Sequence, residues 1–232
     1  MRLAIMQPYY FPYLGYFQLM AAVDLFVILD DVQFIKSGWI HRNHILLDAT
    51  TKPIQMPVER MSQHRLINEH ERVLDAKQQH AQLRLIRHAY QHAPYFQAVM
   101  PMIERIMIDE ERNVALHLGR LLTEIRDYIG CETELVYSST LHNDKRLKRE
   151  QLVLSICHHL GATHYVNAIN GQTFYDKARF EAEGIRLDFI QMDPIEYPQF
   201  ETPFTPNLSM IDVLMFNSKS EVRELLAAYT FI

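Results

Sequence analysis

Apolar residues along this chain fall into two patterns, unbroken runs of four or five and stripes spaced three or four apart, and their alternation predicts strands interleaved with helices. Leu3-Ala4-Ile5-Met6 and Leu25 to Leu29 are near-continuous runs, which fits strands covered on both faces, and the segment between them is long enough for a helical crossover. The chain is therefore expected to open with a βαβ unit. A further apolar strand is expected around Ile54 to Val58, within a loop or hairpin spanning Ile35 to Arg60. Helical spacing follows. Leu83, Ile86 and Tyr90 share one face, Val99, Met102, Ile103, Ile106 and Met107 line a second helix, and Val114, Leu118, Leu121, Leu122, Ile125 and Ile129 line a third that stops at Gly130. These predict a helical insertion at about 78–130.

Strand and helix then alternate again: Leu135 to Tyr137, a helix from about Lys145 to Leu160 stopped by Gly161, a strand over His164 to Ile169, a helix from about Phe174 to Glu183 stopped by Gly184, and a strand over Ile185 to Gln191. A proline-rich loop, Pro194 to Pro206, leads to terminal helices at about 210–216 and 220–229. The expected fold is one α/β domain over 1–232, a mostly parallel Rossmann-like sheet with a helical insertion. With 232 residues, 48% hydrophobic and 22% charged, a substantial core is available. A net charge of −5 argues against broad electrostatic binding to nucleic acid. No apolar run reaches the roughly 18 residues of a membrane span, and no signal-peptide pattern opens the chain, so a cytoplasmic protein is expected. Cys131 and Cys157 form no disulfide framework and read as small buried hydrophobes.

The densest chemistry lies at the carboxyl end of the first strand. Gln7-Pro8-Tyr9-Tyr10-Phe11-Pro12-Tyr13-Leu14-Gly15-Tyr16 is a rigid aromatic loop of the kind that covers a ligand at the edge of a parallel sheet, with a packed first turn as the alternative. Tyr13-Leu14-Gly15-Tyr16 also stands where nucleotidylyltransferases place two histidines. The topology is similar, but tyrosines supply hydrogen bonds rather than a cation. Asp30 and Asp31 follow the second strand. Being adjacent on an extended chain, they are expected to point apart, one into the cleft as a base, amine acceptor or magnesium contact and the other into a turn; two turn-stabilising aspartates are the alternative. Gln33 adds an amide to that edge.

Near Trp39, the only tryptophan, Arg42 and Asn43 are candidate ligand contacts, with a solvated polar loop as the alternative. His41 and His44 lack a companion to complete a metal site. Lys145 and Arg149, with Arg146 and Lys148, are expected in the first turns of a helix capped by Asn143 or Asp144. There they oppose the helix dipole, which a phosphate bound with Ser138 and Ser139 would offset; a solvated basic face is the alternative. Gly171, after Asn170, can bring backbone close to a ligand or simply form a turn. Ser209 and Asp212 read first as a helix start and second as site residues.

The string QPYYFPYLGYF, then LDDVQF and Trp39 with His41-Arg42-Asn43, resembles the WbqC-like protein family, found among bacterial surface-polysaccharide genes. Pro94-Tyr95-Phe96, Ser138-Ser139, His164-Tyr165, Asn170-Gly171, Tyr175, Tyr197-Pro198-Gln199 and LSMIDVL from Leu208 through Asn217 keep the family's order. The resemblance implies transfer of an acyl or aminoacyl group to an amino sugar, most simply on a nucleotide-sugar in O-antigen synthesis. A nucleotide-dependent ligase or nucleotidylyltransferase-like enzyme and a non-catalytic small-ligand-binding protein remain open. A small-molecule partner is expected, and no cofactor is assigned.

Overall fold

In a computed structural model, residues 1–141, 144, 146–200 and 203–232 are described. β1 (Arg2–Met6), α1 (Leu14–Ala21) and β2 (Leu25–Ile28) form the expected opening unit. Then come a hairpin of β3 (Arg42–Leu47) and β4 (Thr50–Gln55), helices α2 (Ala76–Tyr90), α3 (Phe96–Ile108) and α4 (Val114–Ile129), and β5 (Glu134–Tyr137). The chain ends with α5 (Glu150–His159), β6 (His164–Ala168), α6 (Lys177–Ala182), β7 (Arg186–Met192), α7 (Met210–Phe216), α8 (Lys219–Ala227) and β8 (Tyr229–Phe231).

Strand order in the six-stranded sheet is β5-β2-β1-β6-β7-β8, parallel throughout except for antiparallel β8. The fold is α/β and Rossmann-like. Alternation along the strands sends Leu3, Ile5, Leu25, Val27, Leu187 and Phe189 to one face, with α5 and Phe180 of α6. Ala4, Phe26, Ile28, Val166 and Ile190 go to the other, under α1, α2, α3, α4, α7 and α8. Both faces are buried, which is why the strands read as continuous apolar runs. Gly130 ends α4 with φ +73°, as its position predicts. Among the described residues no helix is long and apolar enough to cross a membrane.

Three local expectations need correction. The strand expected at Ile54 to Val58 lies earlier and pairs with β3, outside the main sheet, through a tight turn at Asp48-Ala49 with φ of 50° and 52°. Both turn residues are left-handed, the conformation that matches strand twist, but without the usual Asn-Gly signature. The helix expected from about Lys145 begins at Glu150. Glu150 is anchored by tertiary contacts, accepting the Asp176 N–H (3.0 Å) and pairing with Arg179 (2.7 Å). Finally, β8 occupies the end of the chain, where only helix was expected.

Candidate active-site cleft

The sheet order reverses at β1: the chain steps outward through β2 and β5, then crosses to β6 on the other side. Parallel sheets open a crevice at such a reversal, outside the carboxyl ends of the strands. Register makes the opening visible. β1 and β6 pair only at Arg2↔His164 and Leu3↔Tyr165, whereas β1 stays with β2 to Met6↔Ile28 and β6 with β7 to Ala168↔Ile190. The strand ends splay. Between them lies a cavity of about 440 Å³, with Gln7, Tyr13, Gly15, Asn167, Gly171 and Tyr175 on its walls. A neighbouring lobe of about 340 Å³ contains Pro12, Asn43 and Asn207 and shares Tyr9, Tyr13, Trp39 and Asn170 with the first.

The aromatic loop is held in an unfavourable conformation. Phe11 has φ +43°, rare for a bulky side chain. Its carbonyl accepts from Asn43 Nδ2 (2.6 Å) and Ser209 Oγ (3.0 Å), while Pro12 O accepts the Met210 N–H (2.8 Å) and Trp39 O accepts the Tyr10 N–H (2.9 Å). Asn43, though it lines the smaller lobe, is thus committed to shaping the loop. Ser209 also accepts the Ile211 N–H (3.2 Å) and caps α7, as its spacing predicts.

The two tyrosines flanking Gly15 are not equivalent. Tyr16 is buried and donates to Gln7 O (3.1 Å), whereas Tyr13 is part-exposed and its hydroxyl bonds nothing among the described residues. A Cβ on Gly15 would stand 2.5 Å from Tyr13 Cε2, so only glycine lets that ring lie over the start of α1. Burial raises the pKa of Tyr13, and of Tyr9 together with Tyr13's proximity, so both hydroxyls are donors at neutral pH. Tyr16→Phe is expected to cost roughly 0.5–1.5 kcal/mol of stability for its lost hydrogen bond. Tyr13→Phe should leave the melting temperature unchanged and instead weaken ligand binding. Thermal melts of both variants check the contrast, and equal losses would refute it.

The adjacent aspartates behave differently from the expectation that they point apart. Asp30 lies beyond the end of β2, where strict alternation has ceased, and both carboxylates converge on Ser138 Oγ after β5. Asp30, 2% exposed, accepts the Ser139 N–H (2.9 Å) at Oδ1 and Ser139 Oγ (2.6 Å) and Asn68 Nδ2 (3.3 Å) at Oδ2; Ser138 Oγ lies 3.0 Å from Asp30 Oδ1 and nearer to Asp31 Oδ1, so its one proton is shared between the two carboxylates. Three donors and a share of a fourth commit most of this carboxylate's acceptor capacity. Asp31 is less buried.

The remaining described candidates lie off the cleft walls. Arg42 donates to Ser37 O (2.6 Å), and Gln33 is exposed and bridges Leu66. Ser138 and Ser139 serve the aspartates. Arg149 stands before α5 with φ +53°, so it does not occupy a helical first turn. Asp144, one of the two caps proposed for that helix, instead pairs with Arg146 (2.8 Å); Lys145 and Asn143 lie outside the described residues. Asp212 is fully buried, accepting from Tyr90 (2.8 Å), Tyr197 (2.8 Å) and Gln199 (2.8 Å), and burial raises its pKa.

Besides Tyr9 of the aromatic loop and Asn170 of the Asn-Gly turn, the cleft contains side chains that were not assigned to it from sequence: Asn167, Asn207, Phe174 and Tyr175. The Asn-Gly turn after a strand was the one usable signal. Asn167 is nearly buried, donates to Tyr165 Oη (2.7 Å) and accepts the Ala168 N–H (2.7 Å). Phe174, 68% exposed, and Trp39, 47% exposed, are the large apolar groups that the cleft leaves in solvent. Among the described residues lining the two lobes, none is charged.

The model of the WbqC-like protein family matches residues 7–224 of the chain. An uncharacterized protein of Mycobacterium tuberculosis is 32% identical over 232 residues, covering 97% of each chain. No solved structure matches.

Proposed function

This chain belongs to the WbqC-like protein family, and from that premise we propose that its cleft binds the sugar of a nucleotide-activated amino sugar, to which an acyl or aminoacyl group is transferred. One observation carries the reading: a cleft at the strand-order reversal lined by aromatic rings and amides and, among the described residues, by no charge. Pyranose rings present apolar C–H faces that pack on Tyr and Trp, and hydroxyls that pair with Asn and Gln. A lysine- or arginine-lined site would instead suit a bare anion. The start of α1, which has no side-chain cap and carries Gly15 on the cleft wall, offers backbone donors to the nucleotide phosphates. Tyr13 and Tyr9 act as donors to the ligand. Gln7, Asn170 and Gly171 contact it, and Asn43 and Ser209 hold the loop that faces it.

Transfer to an amine also needs a proton acceptor. Leu29 lines the cleft and the two aspartates follow it directly. Asp30 is buried, and Asp31 is the less buried of the two, so we assign the acceptor role to Asp31. A second reading, binding without turnover, is favoured by the lack of carboxylate, imidazole, thiol or amine among the described residues on the cleft walls.

The experiment uses Trp39, the only tryptophan, whose emission reports the cleft directly. Titration with a UDP-linked amino sugar is expected to give a saturable fluorescence change that UDP alone does not reproduce, and Trp39→Ala should weaken binding measured by calorimetry. No heat and no fluorescence response would sink the proposal. Incubation with acyl and aminoacyl donors then separates the readings. A mass increase on the amino sugar, lost in Asp31→Asn, supports transfer, whereas binding with no mass change supports the second reading.

A further inference from the structure

A second cavity, of about 340 Å³, lies apart from the cleft, between α3, α4 and β5, with Arg105, Asp109, His117, Arg120, Glu124 and Tyr137 on its walls. His117 is 1% exposed, and its Nε2 has no hydrogen-bond partner among the described residues. Nδ1 lies against Nη1 of Arg72 and, farther off, 3.3 Å from Asp109 Oδ2. A guanidinium only donates, so the nearer contact makes Nδ1 the acceptor and puts the ring's proton on Nε2. Burial and then the Arg72 charge push the His117 pKa down to about 3, which keeps this tautomer neutral. A buried N–H donor is therefore left without an acceptor, a costly state that proteins seldom retain.

The half-buried Tyr137 supplies a further donor, for its hydroxyl finds no hydrogen-bond partner among the described residues. That oxygen presses into α4 at Gly119, where a Cβ would stand only 1.8 Å away. Glycine is unfavourable inside a helix, so α4 gives up propensity to admit the hydroxyl. The carboxylates on the walls are already paired: Glu124 with Arg105 (3.0 Å), and Asp109 with Arg120 (3.0 Å), which also holds Glu111 (2.9 Å). Arg105 commits one terminal nitrogen and keeps other N–H groups uncommitted.

We propose that this cavity is a second binding site, taking a small oxyanion, a carboxylate or a phosphate group, on the Nε2–H of His117, the Tyr137 hydroxyl and the guanidinium of Arg105. The donors match that chemistry in kind, since each offers N–H or O–H and none needs to accept. The site does not depend on the sugar-binding reading of the cleft.

Calorimetric titrations with sodium phosphate and with sodium acetate, at constant ionic strength set by chloride, test this on the full chain. Saturable binding of either ion is expected, and which ion binds identifies the group. Tyr137→Phe should weaken that binding about tenfold, the loss of one hydrogen bond to a charged group. Its melting temperature should stay at the parent value, because the hydroxyl bonds nothing among the described residues. Arg105→Gln should weaken binding as well, and the His117 side-chain N–H resonance should move during the wild-type titration. No saturable binding of either ion, or equal affinity in Tyr137→Phe and the parent, would overturn the site.

Discussion

Replacing Asp30 with alanine is expected to cost about 3–5 kcal/mol of stability, because the carboxylate is buried and three donors from two other segments lose their acceptor together. Those donors are the Ser139 hydroxyl and amide and the Asn68 side chain, while the Ser138 hydroxyl keeps Asp31. They join the exit of β2 to the turn after β5 and to the turn at Ile67–Glu69, and Asp30 O also accepts the Asn68 N–H (3.0 Å). For a chain of this length the loss corresponds to roughly 10 °C in melting temperature. Asp30→Asn should be milder and still clearly destabilising, since one acceptor oxygen becomes an amide donor facing donors. Thermal melts of both variants decide the matter, and an unchanged midpoint in Asp30→Ala would show that the network does not hold these segments.

Acid is expected to unfold the protein largely through His117. Its pKa falls from the ordinary 6.5 to about 3 in the folded chain, first from burial and then from the Arg72 charge. Between those values the unfolded chain binds the proton and the folded chain does not. The contribution is therefore complete above about 6.5 and is lost as pH falls toward 3. Over pH 7 to 4 the loss is on the order of 3 kcal/mol. His41, His70 and His164 are also lowered by burial and act in the same direction, so the test compares a variant with its parent. His117→Gln keeps a polar group and removes the titration. Urea unfolding at pH 7 and pH 4 should give a smaller difference for this variant than for the wild type, and parallel losses in the two proteins would assign the acid sensitivity elsewhere.

Strands β1, β2, β5, β6 and β7 and the buried faces of α2, α3 and α4 were legible in the sequence. Each follows from a local period: continuous apolar runs where both sheet faces are covered, and three-and-four spacing where one helix face is. Gly130, Gly161 and Gly184 likewise mark helix ends by a property of the residue itself, their φ of 65–73°. The aromatic loop could be read as unusual, but not which of its tyrosines faces outward. Tyr13 and Tyr16 are three apart on the same turn, and only the packing of Tyr16 against Phe26 and its bond to Gln7 O turns that ring inward. The Asp48-Ala49 turn and β8 lacked local signals, and α5 starts where Glu150 finds partners far along the chain. The cleft is the clearest case. Tyr9, Trp39 and Asn170 are distant in sequence and meet because the strand order reverses between β1 and β6, a choice made by the whole sheet and recorded in no single segment.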